Sequence, residues 1–267
     1  MLNTLRLYLH YASLSIRTQM QYRASFVTHA IAHFLITITE FLGLAAVFQR
    51  FGTIQGWTLP QVGFFYGLIS LAFALAEAIP RGFDIFHTIV RSGDFDRVLL
   101  RPRASAFQIF SQEFQLMRIG RFSQGLIILV ISAAHLPIAW SAPKFALTLF
   151  AILGGACLFS GLFILQATLC FWTIDSIEIV NCTTYGGVEA GQFPLTIYRP
   201  WFRRFFTFVI PQATINYFPA HAIFARPDPL GSTLLLQYLA PFAGIAFLFV
   251  SLQFWNFGVR HYRSTGS

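Results

Sequence analysis

The chain has 267 residues, of which 56% are hydrophobic and 10% are charged, and its formal net charge is +8. A soluble domain has about 25% charged residues, and a chain of this length could not bury so much apolar surface in water. The composition therefore excludes an ordinary soluble globule, and it excludes intrinsic disorder, which requires low hydrophobicity. Long apolar stretches instead predict an all-α integral membrane protein.

Residues 1–23 precede the first long apolar stretch and are predicted to form an interfacial amphipathic helix. The apolar positions that share one face of this helix are Leu2, Leu5, Leu9, Ala12 and Ile16. Arg6 and Arg17 belong to a separate polar stripe. Such a helix lies in the plane of the membrane surface, with its arginines near anionic lipid headgroups. A plain extension of the first membrane span is the alternative.

Residues 24–267 are predicted to form one transmembrane domain with six spans. Each span is an apolar stretch near the ~20 residues that cross the hydrocarbon layer. The six stretches are 24–48, 59–79, 122–140, 145–172, 205–224 and 234–255. The fifth contains Pro211 and Pro219, and proline breaks a helix. It is therefore predicted either to complete the crossing as a broken helix or to dip and return as a re-entrant pair.

The distribution of basic side chains between the spans predicts that both termini are cytoplasmic. Cytoplasmic loops of membrane proteins are enriched in Lys and Arg. With the N-terminus inside, 15 of the 18 basic residues fall in inside segments and 3 fall outside. This assignment makes residues 175–204 an inside loop, in which Arg199, Arg203 and Arg204 mark the inside end of the fifth span.

The longest polar connection, residues 81–121, is predicted to be a cytoplasmic loop with seven Arg and four acidic residues. Its mixed charge goes beyond what a topology signal requires. Apolar residues such as Phe83, Phe86 and Val90 recur in it at helical spacing. We expect one or two short helices that dock on a protein partner; a solvated loop is the alternative.

The sequence lacks the motifs of nucleotide hydrolysis and of common hydrolases. It contains no GxxxxGK[ST], HExxH or GxSxG element, so no catalytic or cofactor-binding residue is predicted and the chain is not expected to be an enzyme. Cys157, Cys170 and Cys182 are far apart and lack the spacing of metal ligands. The basic residues lie between the spans, where they set the orientation, so no nucleic-acid partner is expected.

Two acidic residues fall within predicted spans, where a charged side chain costs about 2.5–3.5 kcal/mol. Glu40 shares one helical face with His29 and His33, because the spacings between the three are 4 and 7. This trio predicts a polar lining of a substrate path or a subunit contact; a structural hydrogen-bond network between helices is the alternative. Glu77 lies near the end of the second span, where it is expected either to reach the inside interface or to pair with a nearby Arg.

Residues 93–102 have the sequence GDFDRVLLRP, which resembles the G-x-L-D-x-x-L-L-R-P segment of a bacterial branch of the ABC-2 type permeases. Residues 193–194 (FP), 206–211 (FTFVIP) and 216–220 (NYFPA) are similar to the same branch. Phe95 departs from the pattern, in which an aliphatic residue is usual, but it keeps the apolar character. The order of an interfacial helix, six spans, a long loop after the second span and a broken fifth span also resembles this family.

The resemblance implies that the chain is the membrane subunit of an ATP-driven exporter in the bacterial cytoplasmic (inner) membrane. ATP and Mg²⁺ would bind to two separate cytoplasmic ATPase subunits, and this chain would bind no cofactor. A second permease chain, identical or different, would complete the transporter in the lipid bilayer. Such permeases move hydrophobic or amphipathic substrates, such as drugs, lipids or glycoconjugates.

The resemblance also assigns roles to individual residues. The loop after the second span would carry a coupling helix that sits on the ATPase, and its candidate residues are Asp94, Asp96, Arg97, Leu99, Leu100, Arg101 and Pro102. The family's substrate path is lined by the first, second and fifth spans. The candidates for that path or for a subunit interface are His29, His33, Glu40, Glu77, Pro211, Asn216 and Pro219. The alternative function is a proton- or sodium-coupled secondary transporter that uses Glu40 and the two histidines as a relay.

Overall fold

The computed structural model describes residues 2–173 and 177–263. Within these two ranges the regular elements are helices, which confirms the all-α prediction. Five helices are long and apolar enough to cross a membrane. They are Arg23–Phe51, Leu59–Ala78, Leu116–His135, Ala142–Leu169 and Phe242–His261. These helices coincide with five of the six predicted spans, and the predicted fifth span, 205–224, is not among them.

The first three helices place one long helix at the centre of the molecule. α1 (Leu2–Gln21) is followed almost directly by α2 (Arg23–Phe51). A tight turn, in which Gly52 has a positive φ, leads into α3 (Leu59–Ala78). α3 is buried along most of its length, whereas α2 leaves most of its surface exposed. α3 is therefore the helix around which the others pack.

The connection after α3 contains four short helices, where the sequence predicted one or two. They are α4 (Arg81–Asp84), α5 (Phe86–Arg91), α6 (Phe95–Leu99) and α7 (Ser105–Phe110). Gly93 has a φ of +74°, the left-handed conformation that ends a helix, so α5 and α6 cannot be continuous. Phe86 and Phe95 are fully buried, which ties these short helices to the bundle.

α8 (Ile119–His135), which continues directly from a 3-10 turn (Leu116–Arg118), and α9 (Ala142–Leu169) are the next two long helices. Both begin three residues before the corresponding predicted spans. α8 ends before Pro137, because the residue that precedes a proline disfavours the helical conformation. α8 approaches α3 closely at Gly125, where an added Cβ atom would lie 2.8 Å from Cβ of Ser70. The small residue at this crossing allows the two helices to pack backbone against backbone.

α10 (Ile177–Gly191) corrects the prediction of an inside loop over residues 175–204. The first residues of that loop, 175 and 176, lie outside the described residues. Gly187 and Gly191 of α10 make room for a neighbouring segment instead of forming a turn. A Cβ atom added to Gly191 would collide with Nε2 of Gln212, and the same Nε2 donates a hydrogen bond to the carbonyl oxygen of Gly187.

The remaining chain consists of short elements followed by one long helix. They are α11 (Pro200–Arg204), a π-helical turn (Phe205–Val209), α12 (Tyr217–Phe224), α13 (Leu234–Leu239) and α14 (Phe242–His261). Helical structure stops after the π-helical turn because Pro211, which follows it closely, has no backbone N–H to donate. Pro241 likewise separates α13 from α14, inside the predicted sixth span.

Aromatic contacts distinguish the two ends of the bundle. At one end, called the Trp57 end, the Trp57 ring lies 6.5 Å from that of Phe224, centroid to centroid. At the other end, called the Phe95 end, the Phe95 ring lies 5.3 Å from that of Phe171 and 6.0 Å from that of Trp255. The first cluster includes a residue of the turn between α2 and α3, and the second includes a residue of the connection between α3 and α8.

α1 lies at the Phe95 end. The Oγ of Ser15 accepts a hydrogen bond from the N–H of Phe114 at 3.2 Å, and Oε1 of Gln19 accepts one from the N–H of Leu116 at 3.0 Å. These bonds join α1 to the segment that precedes α8. The predicted helix over residues 1–23 is thus held by the rest of the chain as well as by its continuity with α2.

The chain after α9 runs from one end of the bundle to the other. Phe171, just beyond α9, packs against Phe95. Thr196 accepts a hydrogen bond from Nε1 of Trp57 at 3.1 Å, so it lies at the Trp57 end. α10 lies between these two points.

Arg199, Arg203 and Arg204 consequently lie at the Trp57 end, and the prediction that they share a side with the 81–121 loop is wrong. The prediction failed because residues 175–204 were treated as one loop whose charges all lie on one side. Moving the three arginines changes the distribution of basic residues between the two ends from 15:3 to 12:6. The excess of basic residues at the Phe95 end remains.

Residues 195–226 leave the Trp57 end, reach the middle of the bundle and return. A Cβ atom added to Gly155, in the middle of α9, would lie 3.1 Å from the side chain of Ile215. Phe224 then contacts Trp57 again. The interrupted backbone of this segment is enclosed by neighbouring helices at its deepest point, since Ile215 is fully buried.

Candidate functional site

Residues 93–102 form a projection whose base is buried. Phe95 is fully buried, and its ring centroid lies 5.0 Å from that of Tyr262, 5.1 Å from that of Phe86 and 5.3 Å from that of Phe171. Aromatic pairs at these distances contribute about 0.5–1.5 kcal/mol each beyond the area they bury. The departure from the usual aliphatic residue at this position therefore supplies an aromatic anchor.

The tip of the projection is exposed and partly apolar. Leu100 is 86% exposed and Leu99 is 42% exposed. Arg101 and Pro102, which follow them, are also exposed. Adjacent exposed leucines on a loop that is otherwise anchored form a surface suited to a protein contact.

Asp94, Arg97 and Arg101 of the projection are exposed, and Asp96 is half-buried. The Arg97 side chain is 81% exposed and pairs with Asp94 at 3.3 Å, and Oγ of Ser92 donates to the Asp94 carboxylate at 2.7 Å. Asp96 lies in the first turn of α6. Exposed ion pairs contribute about 0–1 kcal/mol, so these charges define the outer surface more than they hold the loop in place.

A groove of about 760 Å³ runs beside the projection. α1 contributes Leu7 and Tyr11 to one wall, and Ile89 and Phe107 belong to the connection between α3 and α8. Arg97 lies at the edge of the same groove. Amphipathic periodicity does not indicate which element a helix packs against, so the sequence did not predict that α1 would form part of this surface.

Two groups of the same connection have shifted protonation equilibria. Burial lowers the pKa of His87, and the neighbouring Arg91 and Arg81 lower it further, so this histidine is neutral at pH 7. Burial also lowers the pKa of Arg81, which pairs with Asp84. The positive charge at the base of the loop therefore comes from arginine and not from His87.

Glu77 is 1% exposed and its carboxylate lies between two arginines. Oε1 lies 3.2 Å from Arg118 and Oε2 lies 3.3 Å from Arg121. The Arg121 guanidinium also lies 5.1 Å from the centre of the Phe73 ring. The predicted pairing of Glu77 with a nearby Arg is confirmed, and both carboxylate oxygens are engaged by it.

Glu40 lies on an exposed side of α2, next to α3. The Tyr66 hydroxyl donates to the carbonyl oxygen of Thr37 at 2.9 Å and lies 3.4 Å from the Glu40 carboxylate. Nε2 of Gln124, on α8, reaches the same carbonyl oxygen at 3.4 Å. Three helices thus meet in a hydrogen-bond network around Thr37, and Glu40 forms its exposed edge.

The two histidines extend this side of α2 toward the Phe95 end. His29 is exposed and His33 is half-buried. His33 lies within electrostatic range of Arg118 and Arg121. In the part of the chain that the structure describes, no hydrogen bond joins either histidine to Glu40, so the trio shares a face without forming one bonded cluster.

α10 contributes an acidic residue that sequence reasoning missed. Glu189 is exposed and lies within electrostatic range of Glu40. Tyr185, four residues earlier, packs against Phe73 of α3. A spacing of four residues places both side chains on one helical face, but this signal was lost because the segment was assigned to a loop. Both carboxylates also lie within electrostatic range of Tyr66.

The three candidates in the dipping segment have different surroundings. Asn216 is buried; its Nδ2 donates to the carbonyl oxygen of Gly191 at 2.8 Å, and its Oδ1 accepts from the N–H of Tyr217 at 2.6 Å. Pro219 is buried and Pro211 is half-buried. Asn216 therefore fixes the start of α12 to the end of α10 and makes both hydrogen bonds away from Glu40.

Metal-ligating residues are scattered through the molecule. Across residues 2–173 and 177–263, no group of three His, Cys, Asp or Glu is placed to hold a metal ion. Cys157, Cys170 and Cys182 are free thiols. The polar features that the structure brings together include the projection at the Phe95 end, the Glu77 ion pairs and the Glu40–Glu189 face.

Comparison with known proteins agrees with the resemblance of the motifs. A family model described as ABC-2 family transporter protein matches residues 34–266. No curated protein and no solved structure matches the chain. The matched range begins within α2 and includes the projection, α10 and the dipping segment.

Proposed function

Because the chain belongs to the ABC-2 family of transporter proteins, we propose that it is the permease of an ATP-driven exporter for a hydrophobic or amphipathic substrate, such as a drug, a lipid or a glycoconjugate. Family membership makes it a multi-pass membrane subunit of an ABC transporter, which is not itself catalytic and works with an ABC ATPase. The proposed assembly contains two ATPase subunits and a second permease chain, identical or different, in the bacterial cytoplasmic membrane.

The exposed projection at residues 93–102 carries this proposal. An ATPase that moves a permease needs a surface to bind and a rigid link to the membrane helices, because coupling requires contacts that differ between two conformations. Leu99 and Leu100 supply an exposed apolar surface. Phe95 supplies the link, since its ring packs against Trp255 of α14. Closure of the ATPase dimer on ATP would reach the membrane helices through this contact.

Leu100→Glu is expected to weaken binding of the cognate ATPase by at least about tenfold, because it places a charge in an apolar contact. Leu100→Met keeps an apolar side chain of similar size and is expected to bind like the wild type. Leu100 is 86% exposed, so neither change disturbs the fold. Binding is measured by titrating the ATPase onto the permease in nanodiscs. Equal affinity of Leu100→Glu and the wild type would place the docking surface elsewhere.

We further propose that the Phe95 end faces the cytoplasm. The 12:6 distribution of basic residues supports this orientation, and it places both termini inside, because α1 and the end of α14 lie at the Phe95 end. Six crossings result when α10 is counted as the fifth. Residues 205–224 are then a re-entrant segment that enters from outside, which accounts for a broken backbone enclosed by protein.

Side-specific labelling is expected to separate positions 199 and 101. In a variant whose three native cysteines are replaced by alanine, Arg199→Cys should react with a membrane-impermeant maleimide in intact cells. Arg101→Cys should react only after permeabilisation, and both positions are exposed, so burial does not limit the reaction. Labelling of Arg199→Cys only after permeabilisation would contradict the proposed topology.

The face between α2 and α10 is the proposed lining of the substrate path or contact with the second permease. Only 11% of the apolar part of α2 is buried, although Glu40 lies within it. A carboxylate exposed to lipid would cost about 2.5–3.5 kcal/mol, which favours protein or water as its neighbour. Glu189 on α10 and the two histidines, His29 and His33, extend the polar character of this face. The face thus offers both polar and apolar surface to an amphipathic substrate.

A further inference from the structure

The arginines at the Trp57 end are not accounted for by membrane orientation. Under the proposed topology Arg199, Arg203 and Arg204 lie outside, on the side where basic residues are depleted. Arg203 and Arg204 line a pocket of about 570 Å³. α11, the π-helical turn after it and residues 230–232 form the walls of this pocket.

The pocket combines a cationic edge with an apolar wall. Phe208, Phe218 and Leu236 line it together with the two arginines. Phe208 is 81% exposed and Leu236 is 48% exposed. Exposed apolar side chains beside arginines suit the level of a bilayer at which headgroups and acyl chains meet.

In the described part of the chain, the two pocket arginines have no counter-ion. Among residues 2–173 and 177–263, no side-chain hydrogen bond or ion pair is made by Arg203 or Arg204. A guanidinium has a planar set of donors that matches the oxygens of a phosphate. Two adjacent guanidinium groups without partners therefore favour an anionic ligand.

The acidic residue on the adjacent loop does not fill this role. The Asp228 carboxylate accepts hydrogen bonds from the Tyr217 hydroxyl at 2.7 Å, the N–H of Leu230 at 2.9 Å and the N–H of Ser232 at 3.2 Å. Although burial alone would raise the pKa of Asp228, the hydrogen bonds from Ser232, Leu230 and Tyr217 hold it below its usual value. Asp228 thus shapes the loop that forms one wall of the pocket.

We propose that this pocket binds an anionic phospholipid, with the phosphate at Arg203 and Arg204 and an acyl chain along Phe208, Phe218 and Leu236. The phosphate would receive charge-assisted hydrogen bonds, and the chain would cover apolar surface that is otherwise open. The site differs from the Glu40–Glu189 face and from the projection. Only its location in the outer leaflet rests on the proposed topology.

Native mass spectrometry of the detergent-solubilised chain tests the site with phosphatidylglycerol and phosphatidylcholine as probes. The wild type is expected to bind the first phosphatidylglycerol about tenfold more tightly than phosphatidylcholine, because both lipids carry a phosphate but the choline ammonium cancels its charge and is repelled by the two arginines. R203Q/R204Q should abolish this preference. R199Q/K144Q removes the same charge at the same end without touching the pocket and should retain it.

The outcomes separate a built lipid site from diffuse attraction and from a soluble ligand. If the wild type shows no preference for phosphatidylglycerol over phosphatidylcholine, the pocket is not an anionic lipid site and the proposal is overturned. If both double variants lose the preference equally, diffuse charge attraction explains it and the proposal is overturned as well. Displacement by soluble glycerol phosphate would overturn it in favour of a soluble phosphate ligand. Phe208→Asp, at an exposed position, should weaken phosphatidylglycerol binding about tenfold and provides the test if R203Q/R204Q does not fold. The measurement uses neither ATPase nor membrane sidedness, so its failure leaves the exporter proposal standing.

Discussion

Glu77→Leu is expected to destabilise the protein by about 3–5 kcal/mol, because it leaves two largely buried arginines without a counter-ion. Arg118 and Arg121 each approach one oxygen of the Glu77 carboxylate. Folded proteins are stable by about 5–15 kcal/mol, so this loss removes a large fraction of the total. We expect poor recovery of the variant and a markedly lower midpoint of thermal unfolding, measured by size-exclusion chromatography of heated detergent samples.

Two further variants distinguish the loss of the ion pairs from the loss of a carboxylate. Glu113→Leu, in the segment before α8, removes a partly exposed acid and should leave the midpoint nearly unchanged. Glu77→Leu combined with Arg118→Leu should recover part of the loss, because only Arg121 then lacks a carboxylate, and Arg121 keeps its contact with Phe73. A Glu77→Leu midpoint equal to that of the wild type would mean that water reaches this cluster.

The Glu77 cluster illustrates which part of the site the sequence could predict. A lone acid at the end of an apolar stretch indicated an arginine partner on charge grounds alone. The identity of the partners depends on how α3 packs against α8, which lies 41 or more positions further along the chain. That packing is set by close approaches such as Gly67, where an added Cβ atom would lie 2.8 Å from Cα of Leu129. Periodicity does not encode such a crossing.

The long helices were predictable because hydrocarbon thickness fixes their length and composition. α10 was not predictable from the sequence, because glycines such as Gly187 and Gly191 are typical of a loop. In the structure these glycines accommodate Gln212, a residue that comes more than 20 positions later. Because residues 175–204 were treated as a loop, Arg199, Arg203 and Arg204 were assigned to the wrong end of the bundle. This one error changed the predicted positions of these arginines but did not affect the resemblance to the family.

Phe95→Ala is expected to uncouple ATP hydrolysis from transport without changing the side chains at the exposed tip of the projection. Truncation of a buried phenylalanine costs about 3–5 kcal/mol, and here it removes the contacts with Tyr262, Phe86 and Phe171. Leu100 can still meet the ATPase, but the projection is no longer fixed to the bundle. With saturating ATPase in proteoliposomes, we expect ATP hydrolysis to continue and substrate export to fall by at least about tenfold.

Phe95→Leu is the matched control, because an aliphatic residue is the usual one in the segment that this projection resembles. Leucine loses the ring contacts but still fills much of the buried volume, and such apolar exchanges are better tolerated than truncation to alanine. Export close to the wild-type level in Phe95→Leu and strong loss in Phe95→Ala would show that buried volume, and not aromaticity, fixes the projection. Full coupling in Phe95→Ala would mean that force reaches α14 by another route, such as the hydrogen bond that Nε1 of Trp255 donates to Ser105 at 3.2 Å. Because Leu100→Glu acts on binding and Phe95→Ala acts on transmission, the two substitutions separate the surface that the ATPase holds from the contact through which it moves the membrane helices.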